Sequence, residues 1–186
     1  MSNIEINIVT DSSELPVTLA EAKAWLKIDH TEDDTTLSDL IKSSVATVES
    51  YIKNPIITKT ILYKTSYPKY DEYGEEYVHL PYTLTAVNSV KIYDEKNIAN
   101  TLTTSSNFGK KVLLGNHYIE PRNNQAYQVE FTAGIAADAA NTPEDIKMVI
   151  KELVSYFFEG DCCDKTLRQI LGTIAGYVNY DQCAFI

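Results

Sequence analysis

The sequence predicts an α+β fold, a helical bundle that carries a β-rich insertion. Apolar residues recur at helical spacing between residues 17 and 54 and again after residue 142. Between residues 56 and 134 the period changes to the two-residue alternation of β-strands. We therefore expect one domain over residues 1–186, with N-terminal helices in 17–54, the β-rich insertion in 56–134 and C-terminal helices in 142–176.

The first helix is predicted to begin at Thr18. Its hydroxyl can accept from the backbone amide of Glu21, while the Glu21 carboxylate reaches back to the amide of Thr18, which is the capping-box arrangement. An apolar stripe follows at helical spacing, formed by Leu19, Ala22, Trp25 and Leu26. We expect the only tryptophan, Trp25, to anchor the core from this stripe.

Residues 29–34 contain four acids but do not form a calcium loop of the EF-hand type. Counting from Asp29, the sixth position is Asp34 where the loop needs Gly, and the twelfth is Leu40 where it needs Glu. These carboxylates are instead expected before or within the first turn of a second helix, where they complement its dipole.

The second helix has the clearest apolar pattern in the chain. Asn54-Pro55 is expected to end it, because the residue before proline is disfavoured in the helical conformation. The residues predicted to face the core are Leu37, Leu40, Ile41, Ser44, Val45, Val48, Tyr51 and Ile52.

The central region is predicted to contain five to seven strands, separated by Pro, Gly and Asn/Asp turns. Ile57, Ile61 and Tyr63 share one face of an early strand, and residues 77–80 and 86–93 are further strands. The last strand covers residues 126–132, and its apolar face is formed by Tyr127, Val129 and Phe131.

A third helix is predicted after Thr142-Pro143, with Thr142 as its cap and Pro143 at its first position. It should pack on the second helix and end at Gly160, and a weaker final helix should follow. The buried residues expected in these two helices are Ile146, Val149, Ile150, Leu153, Val154, Phe157, Leu167, Ile170, Leu171 and Ile174.

The composition argues against a protein that binds nucleic acid tightly and against a membrane protein. The net charge is −10, and residues 1–50 alone contain 10 acids and three lysines. Tight DNA binding requires Lys and Arg contacts to the phosphates, so this excess of acids argues against it. The charge is compatible with DNA that moves along the protein without being bound, because like charges repel. No apolar run is long enough to span a bilayer, and the first ten residues do not resemble a secretory signal, so we expect the protein to stay in the cytoplasm where it is made.

The sequence contains none of the common catalytic, phosphate-binding or metal-binding motifs. Cys162, Cys163 and Cys183 form no CxxC pair and are expected to be reduced thiols. We therefore predict no enzymatic activity, no cofactor and no metal. One alternative stays open, a site built from adjacent acids such as Asp71 and Glu72, or Glu75 and Glu76, although such pairs are usually solvated loop residues.

The sequence contains thirteen tyrosines, a high number for its length, and many of them lie in the predicted strands. Tyr combines an apolar ring with a polar tip and is enriched in protein interfaces, but it also has a high strand propensity, and composition does not separate these two roles. The tyrosines in question are Tyr63, Tyr67, Tyr70, Tyr73, Tyr77 and Tyr82.

Several segments in collinear order resemble the head-tail connector proteins of tailed bacteriophages, which are also called head-tail adaptors or DNA-packaging proteins. The segments are VTLAEAKAWLKI at 17–28, VESYI at 48–52, LP at 80–81, VNSVKIYD at 87–94, YQVEFTAG at 127–134, PEDIK at 143–147 and LVSYFFE at 153–159. The chain departs from the family pattern after the third helix, where Gly160-Asp161-Cys162-Cys163 replaces a commonly found Arg.

This resemblance implies a non-enzymatic structural protein that forms a ring, dodecameric on the virion, at the portal vertex. The ring would join the DNA-filled head to the tail, extend the DNA channel and contact the portal protein and the next connector or tail protein. The N-terminal helices would form the subunit contacts, and Tyr70 and Tyr73 would bind a partner. The alternatives are another neck or tail-completion protein, and a ligand-binding or enzymatic domain with a carboxylate site.

Overall fold

The computed structural model describes residues 4–11, 14–102, 104–115, 117, 119–160 and 164–178. Within these residues the chain forms helices and two antiparallel sheets, which confirms the predicted α+β class. It divides into two units. The β unit comprises residues 1–11 and 58–134, and the helical unit comprises residues 12–57 and 135–186. Cys162, Cys163 and Cys183 lie outside the described residues.

Helix α1 (Leu19–Leu26) begins with the predicted capping box. The Thr18 hydroxyl accepts from the Glu21 amide at 3.2 Å, and the Glu21 carboxylate accepts from the Thr18 amide at 2.7 Å. The prediction that Trp25 anchors the core is wrong, because its side chain is 42% exposed. Successive residues of an α-helix are turned by about 100°, so Trp25 and Leu26 lie on opposite sides of the buried Ala22. Trp25 is therefore at the margin of the apolar stripe. Its ring is instead covered in part by Lys151, whose ammonium lies 5.5 Å from the ring centroid.

Helix α2 (Asp34–Ile52) and helix α3 (Glu144–Glu159) pack together, as predicted, and form most of the core of the helical unit. The acids before α2 lie where expected, and Lys23 Nζ binds Asp34 at 2.6 Å. Ala22 and Ser44 are fully buried among large aliphatic side chains. The other buried residues of α2 and α3 are Leu37, Ile41, Val48, Ile52, Ile146, Val149, Ile150, Leu153 and Val154.

Thr142 does not cap α3, so this part of the prediction is wrong. The N-cap residue is Pro143, and the Thr142 hydroxyl donates to the carbonyl oxygen of Asp138 at 3.1 Å. Because Thr142 is buried in this preceding turn, its hydroxyl bonds there and not to the first turn of α3. Gly160 ends α3 in the left-handed conformation with φ of 70°, as predicted.

The weaker final helix is also present, as α4 (Asp164–Gly172), and a short 3-10 turn follows it at Ala175–Tyr177. Two of its predicted core residues, Leu171 and Ile174, are buried in the helical unit. An open groove on α2 and α4 is lined by Ala46, Thr47, Ser50, Tyr51 and Leu171.

The β unit contains nine strands in the described residues. They are β1 (Glu5–Thr10), β2 (Lys59–Thr65), β3 (Lys69–Tyr70), β4 (Glu76–His79), β5 (Leu84–Tyr93), β6 (Ala99–Thr101), β7 (Thr104–Phe108), β8 (Lys111–Leu114) and β9 (Tyr127–Ala133). Eight of these fall in the predicted insertion, against the five to seven expected, because β3 and β6 are only two and three residues long and leave no alternating pattern.

The strands form a five-stranded sheet in the order β1-β2-β9-β5-β6 and a four-stranded sheet in the order β3-β4-β8-β7. Side chains from both sheets form one apolar core. The predicted face of β9 is confirmed, since Tyr127, Val129 and Phe131 are all buried. Ile61 and Tyr63 of β2 lie beside them, because they pair with Phe131 and Val129.

Strand β1 adds an edge to the five-stranded sheet from outside the predicted insertion. It pairs antiparallel with β2, so that Ile6 lies opposite Tyr63 and Ile8 opposite Ile61. Glu5 holds the strand in place. Its carboxylate accepts from Lys64 Nζ at 3.0 Å and from Gln125 Nε2 at 2.9 Å.

Candidate functional site

The two tyrosines predicted to bind a partner lie on a hairpin formed by β3 and β4 of the β unit. Tyr70 ends β3 and pairs with Glu76, and Tyr73 lies in the turn between the strands. Their side chains are 66% and 83% exposed, respectively. Aromatic residues such as Tyr are enriched in protein interfaces and among the residues that contribute most to binding.

Asp71 fixes the shape of this turn. Its Oδ1 atom accepts from the backbone amides of Tyr73 and Glu75, at 2.9 and 2.8 Å. Gly74 follows with φ of +79°, in the left-handed region that glycine adopts without strain. The turn is therefore organised by its own side chain and backbone, so Tyr73 is held in an exposed position by a rigid turn.

Glu76, the first residue of β4, joins the hairpin to the rest of the β unit at a point next to the turn. Oε1 accepts from the Tyr127 hydroxyl at 2.8 Å, and Oε2 lies 2.8 Å from His117 Nε2, although the ring N–H does not point at the oxygen. Burial, followed by the hydrogen bond to Glu76, raises the pKa of the Tyr127 hydroxyl above its usual value. Asp71 thus has its partners within the turn, whereas Glu76 is held from outside the hairpin, by Tyr127 of β9.

The structure assigns different roles to the six tyrosines that the sequence grouped together. Tyr63 and Tyr77 are buried and belong to the strands, and Tyr82 is half-buried against the core. Tyr67 is exposed, as are Tyr70 and Tyr73. Burial therefore supports the strand role for Tyr63 and Tyr77, and partner binding by Tyr70 and Tyr73 stays a prediction.

No group of three or more His, Cys, Asp or Glu side chains is placed to hold a metal ion among the residues that the structure describes. In the same part of the chain, no helix is both long and apolar enough to cross a membrane. The acids at 29–34 that superficially resemble a calcium loop are used locally. Asp34 binds Lys23, and Asp33 lies 3.7 Å from His30 Nδ1.

Sequence reasoning missed a second exposed apolar surface, on β1. Ile6 and Ile8 are 44% and 54% exposed, and Ile4 and Val9 are exposed as well. The alternation of apolar residues in IEINIVT was visible in the sequence and is typical of a strand. The outward exposure was not predictable, because it depends on β1 being the last strand of its sheet.

The sequence profile of the head completion protein family matches residues 16–172. The chain belongs to this family. The resemblance to head-tail connector proteins is thereby confirmed, and the family is one of structural proteins of virion assembly. No curated protein matches the sequence.

Solved structures with the same fold come from gene transfer agent particles. One is a chain in the neck of an empty gene transfer agent particle computed with C6 symmetry, at 12% identity and a TM-score of 0.70. Another is from the neck of a native particle computed with C12 symmetry, at 13% identity and a TM-score of 0.66. A third is from the virion of a native particle, at 15% identity and a TM-score of 0.66. Each match covers 97% of this chain and 98% of the other chain.

Proposed function

We propose that this head completion protein forms a ring at the portal vertex of a phage-like particle, joins the DNA-filled head to the tail, and extends the DNA channel. The observation that carries the proposal is the family match over residues 16–172. The fold supports it, since both units correspond to a single chain found in particle necks computed with C6 and C12 symmetry. A dodecameric ring on the virion, with subunits made in the host cytoplasm, is the form we expect.

The protein acts by assembly and has no active site in this proposal. A ring is built from a heterologous contact, in which two different surfaces of the subunit meet, and the rotation between neighbours returns to the first copy. Each copy therefore presents two different surfaces to its neighbours. We assign one contact to the N-terminal helices, where α2 and α4 leave the open groove at Ser50 and Tyr51. The excess of acids in residues 1–50 suits a channel that repels the DNA phosphates and lets the duplex slide.

The β3–β4 hairpin is the surface that we propose for a partner, the portal protein or the next connector or tail protein. Tyr70 and Tyr73 are exposed on a hairpin whose turn is held by Asp71 and whose strand β4 is held next to the turn by the bond from Tyr127 to Glu76, so little conformational entropy is lost when a partner covers them.

The first test is the absolute mass of the purified protein by light scattering over a concentration series, alone and with the cognate portal. A ring, or a monomer that assembles only on the portal, is the expected result. A protein that stays monomeric and does not bind the portal at any concentration contradicts the proposal and favours the ligand-binding alternative. A ring that binds only other neck components identifies a different neck or tail-completion protein.

The hairpin is tested by the double change Tyr70→Ser and Tyr73→Ser. We expect partner binding to weaken by about tenfold or more, because exposed tyrosines of this kind often carry 1–2 kcal/mol each in interfaces. Phe158→Ser, which removes an exposed aromatic ring from α3 of the helical unit, is the control and should bind normally. Unchanged affinity of the double variant, with its fold intact by circular dichroism, would show that the hairpin does not bind the partner.

A further inference from the structure

Strand β1 leaves an apolar strip of the five-stranded sheet uncovered. Side chains that lie opposite each other in an antiparallel pair share a face, so Ile6 and Ile8 lie on the same face as Tyr63 and Ile61. Ile61 and Tyr63 are buried in the core between the two sheets, whereas Ile6 and Ile8 are about half exposed. The core face of the sheet therefore continues onto β1, where its apolar side chains are only about half covered.

The same strand has a free hydrogen-bonding edge. It is the first strand in the order β1-β2-β9-β5-β6, so one row of its backbone N–H and C=O groups faces away from β2. Natural edge strands are usually protected by charged side chains, especially Lys, by Pro, by bulges or by a covering segment. Residues 4–11 contain no Lys or Pro, their two acids, Glu5 and Asp11, bind Lys64 and Lys59, and the one irregularity in register lies near the end, between Ile8 and Thr10. An edge of this kind is typical of a strand that another strand covers.

The chain itself offers a complementary edge. Strand β6 ends the other side of the same sheet, and Ile98 immediately before it is 55% exposed. Symmetry favours this partner over a second β1. Two copies of β1 would pair through the same edge, an isologous contact that ends at a dimer, whereas β1 and β6 are different edges of one sheet.

We propose that β1 of one copy pairs with the free edge of β6 in the next copy, so that the five-stranded sheets of neighbouring subunits join. The contact uses two different edges of one molecule and is therefore heterologous, the type that closes into a ring. The inference rests on the proposed ring and adds a contact in the β unit to the one assigned to the helical unit. Ile6 and Ile8 supply its apolar part, and the paired backbones supply its hydrogen bonds.

The test compares two substitutions at neighbouring positions of β1. Ile8→Lys places a charge on the strip that the next copy covers, while Asn7→Ser exchanges one polar side chain for another on the opposite face and adds no charge to the edge strand. Ile8→Lys should reduce ring assembly at least tenfold in the light-scattering series, alone or on the portal, and Asn7→Ser should assemble like the unchanged protein. Both positions are exposed in the monomer, so circular dichroism and the melting temperature should be the same for both variants.

A mixing experiment identifies the partner edge. Ile98→Lys alone should also fail to form rings. When mixed with Ile8→Lys, it should form dimers that do not grow, because that pair retains one good β1 edge and one good β6 edge. If Ile98→Lys assembles normally, the β6 assignment is wrong. If Ile8→Lys assembles normally, or Asn7→Ser fails equally, the role of the apolar strip is wrong, although the ring itself stands as long as the unchanged protein assembles. If the unchanged protein does not assemble, the proposed function fails first.

Discussion

The Tyr127 hydroxyl donates to Glu76 Oε1 at 2.8 Å, and this bond connects the two sheets of the β unit. Tyr127 belongs to β9 in the five-stranded sheet, and Glu76 belongs to β4 in the four-stranded sheet. The Glu76 carboxylate is mostly buried, and its other oxygen lies 2.8 Å from His117 Nε2. The same Glu76 pairs with Tyr70, so the bond also supports the hairpin next to the turn that carries the proposed partner surface.

Tyr127→Phe should lower the free energy of unfolding by about 2 kcal/mol at neutral pH, because it leaves one oxygen of a buried carboxylate without its donor. The expected loss is measured by thermal or urea unfolding, followed by near-ultraviolet circular dichroism. Tyr73→Phe removes a hydroxyl from an exposed ring and should have almost no effect. An equal loss in both variants would contradict a special role for the Tyr127 bond.

The same residue should make the protein sensitive to alkali. Burial and the bond to Glu76 raise the pKa of Tyr127 above the value of 10.0 that it has when unfolded. A raised pKa contributes stability that is complete below pH 10 and is lost as the pH rises from 10 towards the folded pKa, because the unfolded state releases its proton first. The stability of the unchanged protein should thus fall more steeply above pH 10 than that of Tyr127→Phe. Parallel pH profiles for the two proteins would contradict this.

Gly134→Ala should destabilise the β unit by about 2–3 kcal/mol, the range for forced overpacking. A Cβ atom at Gly134 would lie 2.5 Å from Thr58 Cα and 2.7 Å from Thr58 N, and backbone atoms have little room to move. The measurement is the melting temperature by calorimetry. Gly172→Ala is the control, because nothing lies within 4 Å of its added Cβ, and it should be neutral or slightly stabilising.

The sequence predicted those elements whose periodicity is long enough to define a face. The stripes of α2 and α3 and the alternation of β9 extend over many residues, and their buried faces were predicted correctly. Helix α1 has only eight residues, so one residue at the margin of its stripe is easily misplaced, and Trp25 was. The prediction of a cap at Thr142 was wrong for a different reason, because a threonine hydroxyl can bond to the turn before a helix as well as to the first turn of the helix.

The candidate surfaces depended on information that the local sequence does not contain. The exposure of Tyr70 and Tyr73 follows from their position on a short hairpin, whereas Tyr77, only four residues after Tyr73, is buried within the sheet, where Lys111 Nζ lies 4.9 Å from its ring centroid. Likewise, the exposure of β1 follows from its place in the strand order. Strand order and register are set by long-range pairing, which composition and periodicity do not specify.

The capping box of α1 gives a prediction for acid pH. Hydrogen bonds from the backbone and side chain of Thr18 lower the pKa of Glu21 below 4.5. A lowered pKa contributes stability that is present above pH 4.5 and is lost as the pH falls through the folded pKa. Thr18→Ala should therefore cost about 1 kcal/mol at pH 7 and less at acid pH. Urea unfolding monitored by the fluorescence of Trp25 reports on this helix directly. Glu32→Gln, at an exposed acid outside the cap, is the control, and a constant cost of Thr18→Ala at all pH values would contradict the linkage.

Ser44 should be a place where the protein can be made more stable. Its side chain is fully buried in the core of the helical unit, and its Oγ atom has no hydrogen-bond partner among the described residues. Ser44→Ala removes an unsatisfied hydroxyl and replaces it with the best helix former, so the free energy of unfolding should rise by about 1 kcal/mol. Ser43→Ala, at the exposed neighbouring position of α2, gains only the helix propensity and should give a smaller rise. The difference between the two variants in urea unfolding isolates the buried hydroxyl. If Ser44→Ala is no more stable than Ser43→Ala, the Ser44 hydroxyl has a partner in solution, and its burial then costs the fold nothing.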